Sequence, residues 1–138
     1  MRVALRSPCP IAGALDILGD TWTLLVMRDL LFYDKHRFAE FLDSPEGIST
    51  NILADRLTRL ERSGLIERRR YQDRPPRDEY VLTTRGYDLL PVLKELIKWG
   101  QQHVPGVALR PPPSFREVAV RPDAAAAKPT PRSRRRPR

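Results

Sequence analysis

Between Ser49 and Thr83 the chain sets two kinds of polar chemistry side by side. A helix is predicted to begin after the turn Ser44-Pro45-Glu46-Gly47 and the apolar Ile48, because the Ser49 hydroxyl can accept from an orphaned amide of the first turn. Leu53, Leu57 and Leu60 then share one face, while Asn51, Asp55, Thr58 and Arg62 cluster on the other at about 100° per residue. Short amides, hydroxyls and carboxylates on the free side of a helix suit the edges of bases. Asn51 can pair bidentately with adenine and Asp55 can accept from cytosine, with Thr50 and Thr58 beside them. Arg37, Arg56, Arg59 and Arg62 are better matched to phosphate oxygens.

The second chemistry is a cluster of guanidiniums. Ser63-Gly64 should end the helix, since glycine takes the left-handed conformation without a Cβ penalty. Leu65 to Tyr71 alternates as a strand, and Glu79 to Thr83 (EYVLT) has the β-branched and aromatic residues of its partner. The loop between them, QDRPPRD, contains two prolines that stiffen it and cannot donate to a ladder, which predicts a rigid tip carrying Arg74 and Arg77. A narrow A·T-rich minor groove attracts such arginines. Arg68 to Arg77 has a net charge of +4, whereas the rest of the first 104 residues sums to −3. Isolated arginines would be read as a solvated hairpin face. Here helix, tip and local charge agree, and together they describe a winged helix-turn-helix facing double-stranded DNA.

Further elements must hold these two in place. Ile11, Ala14, Leu15 and Leu18 form a short apolar stripe ended by Gly19. Asp20 or Thr21 can cap a second helix, whose Trp22, Leu24, Leu25, Val26, Leu30 and Leu31 are apolar on several sides and should form the core. Arg37 to Leu42 makes a third helix, with Phe38, Phe41 and Leu42 inward, and pairs with the Ser49 helix as the helix-turn-helix. After the hairpin, Thr84 can cap a helix reaching to about Gln102, bent or divided near Pro91. Its Leu89, Leu90, Leu93, Leu96, Ile97 and Trp99 offer more apolar surface than one small domain hides. A dimer helix is one reading of that surface; a helix folded wholly onto its own core is the other. The fold class expected is mainly α with a small β-hairpin, a dimeric winged helix-turn-helix over residues 1–104.

Composition changes beyond that point. Eight of the fourteen prolines, with AAAA and RSRRRPR, lie in residues 105–138, whose net charge of +7 supplies most of the chain's +8. Such a tail lacks the apolar surface to offset its ordering entropy, so disorder is expected. It could add affinity for DNA through counterion release, touch an anionic membrane, or stay solvated. No apolar run near the start reaches the roughly 18 residues of a membrane span, no signal-cleavage pattern follows Cys9-Pro10-Ile11-Ala12, and a cytoplasmic location is expected. With one cysteine and two isolated histidines, His36 and His103, neither an intrachain disulfide nor a zinc site is predicted. The chain has no glycine-rich phosphate loop, nucleophile elbow or metal cluster, so neither an enzyme nor a cofactor is expected.

The segments CPIAGALDILGDTWTLLVMRDLL, RFAEF, GISTNILADRLTRLERSGLIERR and PPRDEYVLTTRGYDLLPVLKELIKWG occur in that order. Over about Cys9 to Gly100 they resemble the HxlR-type winged helix-turn-helix transcriptional regulators of bacteria. The resemblance implies a homodimer joined through its first and last helices, with Ile11, Leu15, Leu89, Leu93, Leu96 and Ile97 at the interface. It also implies a palindromic operator with half-sites about 34–36 Å apart, repression of a neighbouring gene, and Arg77 ahead of Arg74 at the wing. In some members a cysteine at the CP motif senses oxidants or electrophiles, and Cys9-Pro10 falls at that position. The thiolate this needs would be favoured by the start of the first helix and by Arg6. The plainer reading of Cys9, a small half-buried residue with no sensing role, stands beside it. Two other function classes stay open: a protein-interaction module, which would want an apolar or acidic reading face, and a non-specific basic nucleic-acid binder.

Overall fold

Thr23–Phe32, helix α2, buries seven of its ten residues, which sets it at the centre of the molecule. The structure is a computed structural model that describes residues 5–107. The tail expected over 105–138 lies outside them from residue 108 onward. Around α2 are α1 (Pro10–Leu18), α3 (Phe38–Leu42), α4 (Thr50–Arg62), the antiparallel strands β1 (Ile66–Asp73) and β2 (Pro76–Leu82), the short α5 (Thr84–Tyr87) and α6 (Leu90–His103). Val26, Met27, Leu30 and Leu31 of α2 meet Phe41, the α4 leucines, Ile66 and Tyr80 of the hairpin, and Leu93 of α6 in one core. No single helix among the described residues is long and apolar enough to cross a membrane.

Several boundaries move from where the sequence put them, each for a local reason. α2 begins at Thr23, but Asp20 still acts as its cap: the carboxylate accepts from the amides of Trp22 at 2.8 Å and Thr23 at 3.0 Å and from the Thr23 hydroxyl. The cap of α5 is Thr83, not Thr84, and its hydroxyl accepts from the Gly86 amide at 3.2 Å. Thr83 is free for this because the strand ends one residue earlier, at Leu82. Pro91 lies in the first turn of α6, where its missing amide costs nothing, so the break between α5 and α6 falls at Asp88-Leu89. The loop predicted over 72–78 shrinks to Arg74-Pro75, because Asp73 pairs with Pro76 and Gln72 with Arg77. Pro76 tolerates this as the first residue of its strand.

Burial pushes the Asp20 carboxyl up, but the hydrogen bonds from Thr23, Trp22 and Arg56 overcome it and hold the group well below the usual carboxylate range. A depressed carboxylate contributes stability above its unfolded pKa, about 4, and that contribution is lost as pH falls through the folded value. Urea unfolding of Asp20→Asn should therefore lose less stability than the parent between about pH 4 and pH 2. Parallel curves for the two proteins would remove Asp20 from the acid limb.

Candidate nucleic-acid interface

Helix α4 keeps Leu53, Leu57 and Leu60 at no more than 1% exposure. Its other side is open. Ser49 caps it as expected, accepting from the Ile52 amide at 3.3 Å, and Gly64 ends it with φ of 76°. Thr50, Asn51, Asp55, Arg59 and Arg62 are exposed. The remaining two nominated residues of the helix are partly committed elsewhere. Thr58 is half-buried and its hydroxyl donates to the Ala54 carbonyl at 2.9 Å. Arg56 is also half-buried, donating to Asp20 at 2.9 Å and to Asp55, and these carboxylates raise its already high pKa. Arg56 therefore ties α4 to the α1–α2 turn. Asp55 lies between Arg56 and Arg59, the latter at 3.9 Å, so the reading face neutralises much of its own charge.

Together with the shared core, three contacts fasten the hairpin to α3 and the segment before it. The Tyr80 amide donates to the His36 carbonyl at 2.7 Å, the Phe41 and Tyr80 rings meet edge to face at 6.3 Å, and the Arg37 guanidinium stacks 4.4 Å from the centre of the Tyr71 ring. Tyr71 occupies the irregularity between Arg70 and Gln72, where the strand register slips. A bulge of this kind re-aims a side chain. Arg37 thus keeps its exposed charge while anchored on an aromatic face, a pairing its distance from Tyr71 in the sequence hid. The wing arginines fall into two groups. Arg68, Arg69 and Arg70 lie near Glu61, Glu67 and Asp78 at 3.6, 3.7 and 3.4 Å. Arg74 and Arg77 at the tip, like Arg62 on α4, are exposed and have no acidic partner among the described residues.

The nominated interface residues on α1 and α6 divide by burial. Ile11, Leu15 and Leu96 are exposed by 70%, 53% and 48%, and Trp99 and Val92 join them. Leu89 and Ile97 are half-buried against the core. Leu93 does not belong to this outer face, because it points into the protomer's own core at 5% exposure. Cys9 is exposed rather than half-buried and stands at the N-cap of α1. Arg6 does not serve it: the guanidinium donates to Asp16 at 2.5 Å and to the Ala12 carbonyl at 3.4 Å. The Ser7 hydroxyl accepts from the Cys9 amide at 3.2 Å.

A capped helix with a free polar face, a short helix before it and a fastened arginine-tipped hairpin define the winged helix-turn-helix class of DNA-binding regulators. Residues 17–107 match the HxlR-like helix-turn-helix family, and the chain belongs to that family. It is 44% identical over 92 residues to the HTH-type transcriptional regulator sll1512 of Synechocystis, covering 67% of each chain. With the HTH-type transcriptional regulator Rv3095 of Mycobacterium tuberculosis it shares 37% over 95 residues, which are 69% of this chain but 59% of that protein's length. Among solved structures it is similar to the redox regulator HypR in its oxidized form, at 32% identity and a TM-score of 0.62 over 68% of this chain and 96% of that one. The protein is a transcriptional regulator with a helix-turn-helix DNA-binding fold.

Proposed function

We propose that the protein acts in the cytoplasm as a homodimeric, sequence-specific regulator, a repressor, of a palindromic operator. The observation that carries this reading is the outward face of α4, where Thr50, Asn51, Asp55, Arg59 and Arg62 are exposed above three buried leucines. In this reading α4 enters the major groove, with Asn51 and Asp55 at base edges and Arg59 and Arg62 at phosphates. Ser49, Thr50 and Thr58 add short polar contacts, Arg37 and Arg56 approach the backbone, and Arg77 with Arg74 enters the flanking minor groove. The dimer forms through Ile11, Leu15 and Leu96 with the half-buried Leu89 and Ile97, an apolar surface that a lone protomer leaves in water. Residues 1–104 are the DNA-binding and dimerisation unit, and the basic tail adds affinity that is independent of sequence.

Cys9 is the proposed control point. A relative described as a redox regulator supports this, as do the exposed sulfur and its place at a helix start beside the apolar face. A thiolate can add to a soft electrophile, forming one S–C bond with uptake of one proton. Alternatively a peroxide takes two electrons from two Cys9 thiols of the dimer, leaving one disulfide and water. Either product sits at the end of α1 and would alter the angle between protomers.

Fluorescence anisotropy against the protein's own upstream DNA and a scrambled duplex, at two salt concentrations, tests both parts. A preference for the native duplex that peroxide or quinone removes in the parent, but not in Cys9→Ser, is the expected result. Asn51→Ala should lose about 1–3 kcal/mol on the native duplex alone. Arg77→Ala should weaken both duplexes and lower the salt slope by about 1. Equal binding to both duplexes would mean a non-specific binder, and no binding to either would mean an interaction module.

A further inference from the structure

A shallow cavity of about 190 Å³, widely open to solvent, lies between α1, the start of β1 and the α5–α6 junction, lined by Ala14, Ile17, Leu18, Leu65, Arg85 and Leu89, the last of which also belongs to the proposed dimer surface. Its lining is aliphatic apart from Arg85, whose guanidinium stands beside Gly64 at its edge. Arg85 is exposed and has no acidic partner among the described residues, where seven of the twelve arginines have one. Gly64 leaves room beside it: a Cβ there would come within 3.7 Å of Arg85 Nη1. The backbone on that side is already satisfied, since the Gly64 carbonyl accepts from the Thr83 hydroxyl at 2.6 Å and the Leu65 carbonyl from the Thr83 amide at 3.1 Å. Arg85 thus has donors to spare at the edge of an apolar space.

We propose that this cavity binds a small carboxylate with a flat apolar body, a compound of the size and type of benzoate. An apolar cavity of about 150 Å³ can take up benzene, so the volume suits one aromatic ring. The planar fork of an arginine matches a carboxylate with two parallel hydrogen bonds, which a single ammonium or hydroxyl would not offer. A neutral apolar ligand would leave the guanidinium unused, and the six lining residues offer a nucleotide's further polar groups no second partner. The bound ring would touch Ile17 and Leu18 of α1 and Leu65, the residue that joins α4 to β1. The helix that follows Cys9 and the residue just past the turn that ends the Asn51 helix would both line one ligand.

The test is a titration of the ¹⁵N-labelled full chain with sodium benzoate and, separately, with benzamide, its uncharged isostere. The amides of Ala14, Leu18, Leu65 and Arg85 should shift saturably with benzoate, and benzamide should bind on the order of tenfold more weakly. Arg85→Gln should bring the two affinities together, and Ala14→Phe, which fills the space from an exposed position on α1, should abolish both while the other amides keep their positions. Absence of saturable shifts, or equal affinity of the parent for the two compounds, would overturn the proposal. So would shifts at these amides on dilution with none on adding benzoate, which would mean that a second copy of the chain fills the cavity. No DNA is present in the titration, so its outcome stands apart from that of the operator measurement.

Discussion

Asp29→Ala is expected to lower the unfolding free energy by about 3–5 kcal/mol, the range for leaving a buried charge network without one partner. Asp29 is only 2% exposed, near the end of α2, and its carboxylate is shared. Arg28 donates to it at 3.0 Å and Ser44 at 2.5 Å, and the Lys35 ammonium stands 3.7 Å away. Arg28 also forks onto Glu46 at 2.7 and 2.9 Å, and this contact holds the Glu46 carboxyl below its ordinary range. Ser44 and Glu46 belong to the turn between α3 and α4, so removal of Asp29 takes the shared carboxylate from Arg28, Lys35 and Ser44 and loosens the turn that aims the reading helix. Asp29→Asn keeps one acceptor oxygen, enough for Arg28, and forfeits the charge and the second acceptor, and should cost less than Asp29→Ala. Urea titrations of the two variants check this. A loss under about 1 kcal/mol for Asp29→Ala, the range of an exposed pair, would mean that water already screens the network.

Gly86→Ala should be costly for a different reason. A Cβ at Gly86 would stand 2.2 Å from the Leu65 carbonyl oxygen and 2.9 Å from Leu82 Cδ2. The first of these is backbone and cannot rotate away. α5 would have to lift from the start of β1, and the Thr83 hydrogen bonds to Gly64 and Leu65 would stretch with it. Overpacking costs about 1–3 kcal/mol where side chains can yield, and this site belongs at or above the upper end. For a domain near 100 residues that is a melting temperature lower by on the order of 10–20 °C. Gly13→Ala is the control, because a Cβ there meets nothing within 4 Å. Equal melting temperatures for Gly86→Ala and the parent would mean that α5 is free to move.

The two variants also mark what could and could not be read from the residues. Ser49, the α4 leucines and Gly64 were legible because a cap, a helical period and a left-handed stop are local signals. The two strands were legible too, whereas the length of the loop was not: the slip at Tyr71 changes the register, and that depends on what the ring packs against. Thr83 and Thr84 are chemically equivalent caps, and only the end of β2 decides between them. Asp29 resembles a solvent-facing position on a helix until Lys35, just past the end of α2, and Ser44, fifteen residues on, close over it. Leu93 and Leu96 are three residues apart on a helix that is apolar on several sides, so composition could not tell the inward one from the outward. The Gly86 contact with Leu65 joins two elements across the hairpin and leaves no trace beyond a glycine in a short helix.

The self-neutralised face of α4 has a kinetic meaning if the proposed docking holds. Asp55 occupies Arg56 and Arg59, which leaves Arg62 as the one exposed α4 arginine without an acidic partner among the described residues, while Arg74 and Arg77 stand without one at the far end of the hairpin. On arbitrary DNA the protein would then be held chiefly by its wing tips and Arg62, with less electrostatic grip at the major groove than three unpaired α4 arginines would give. Few phosphate contacts mean a shallow barrier to sliding and hopping, so the search along the duplex can be fast. Only at the correct bases would the hydrogen bonds of Asn51 and its neighbours arrest the motion. The carboxylate in the middle of the reading helix would act as a brake on misplaced pauses.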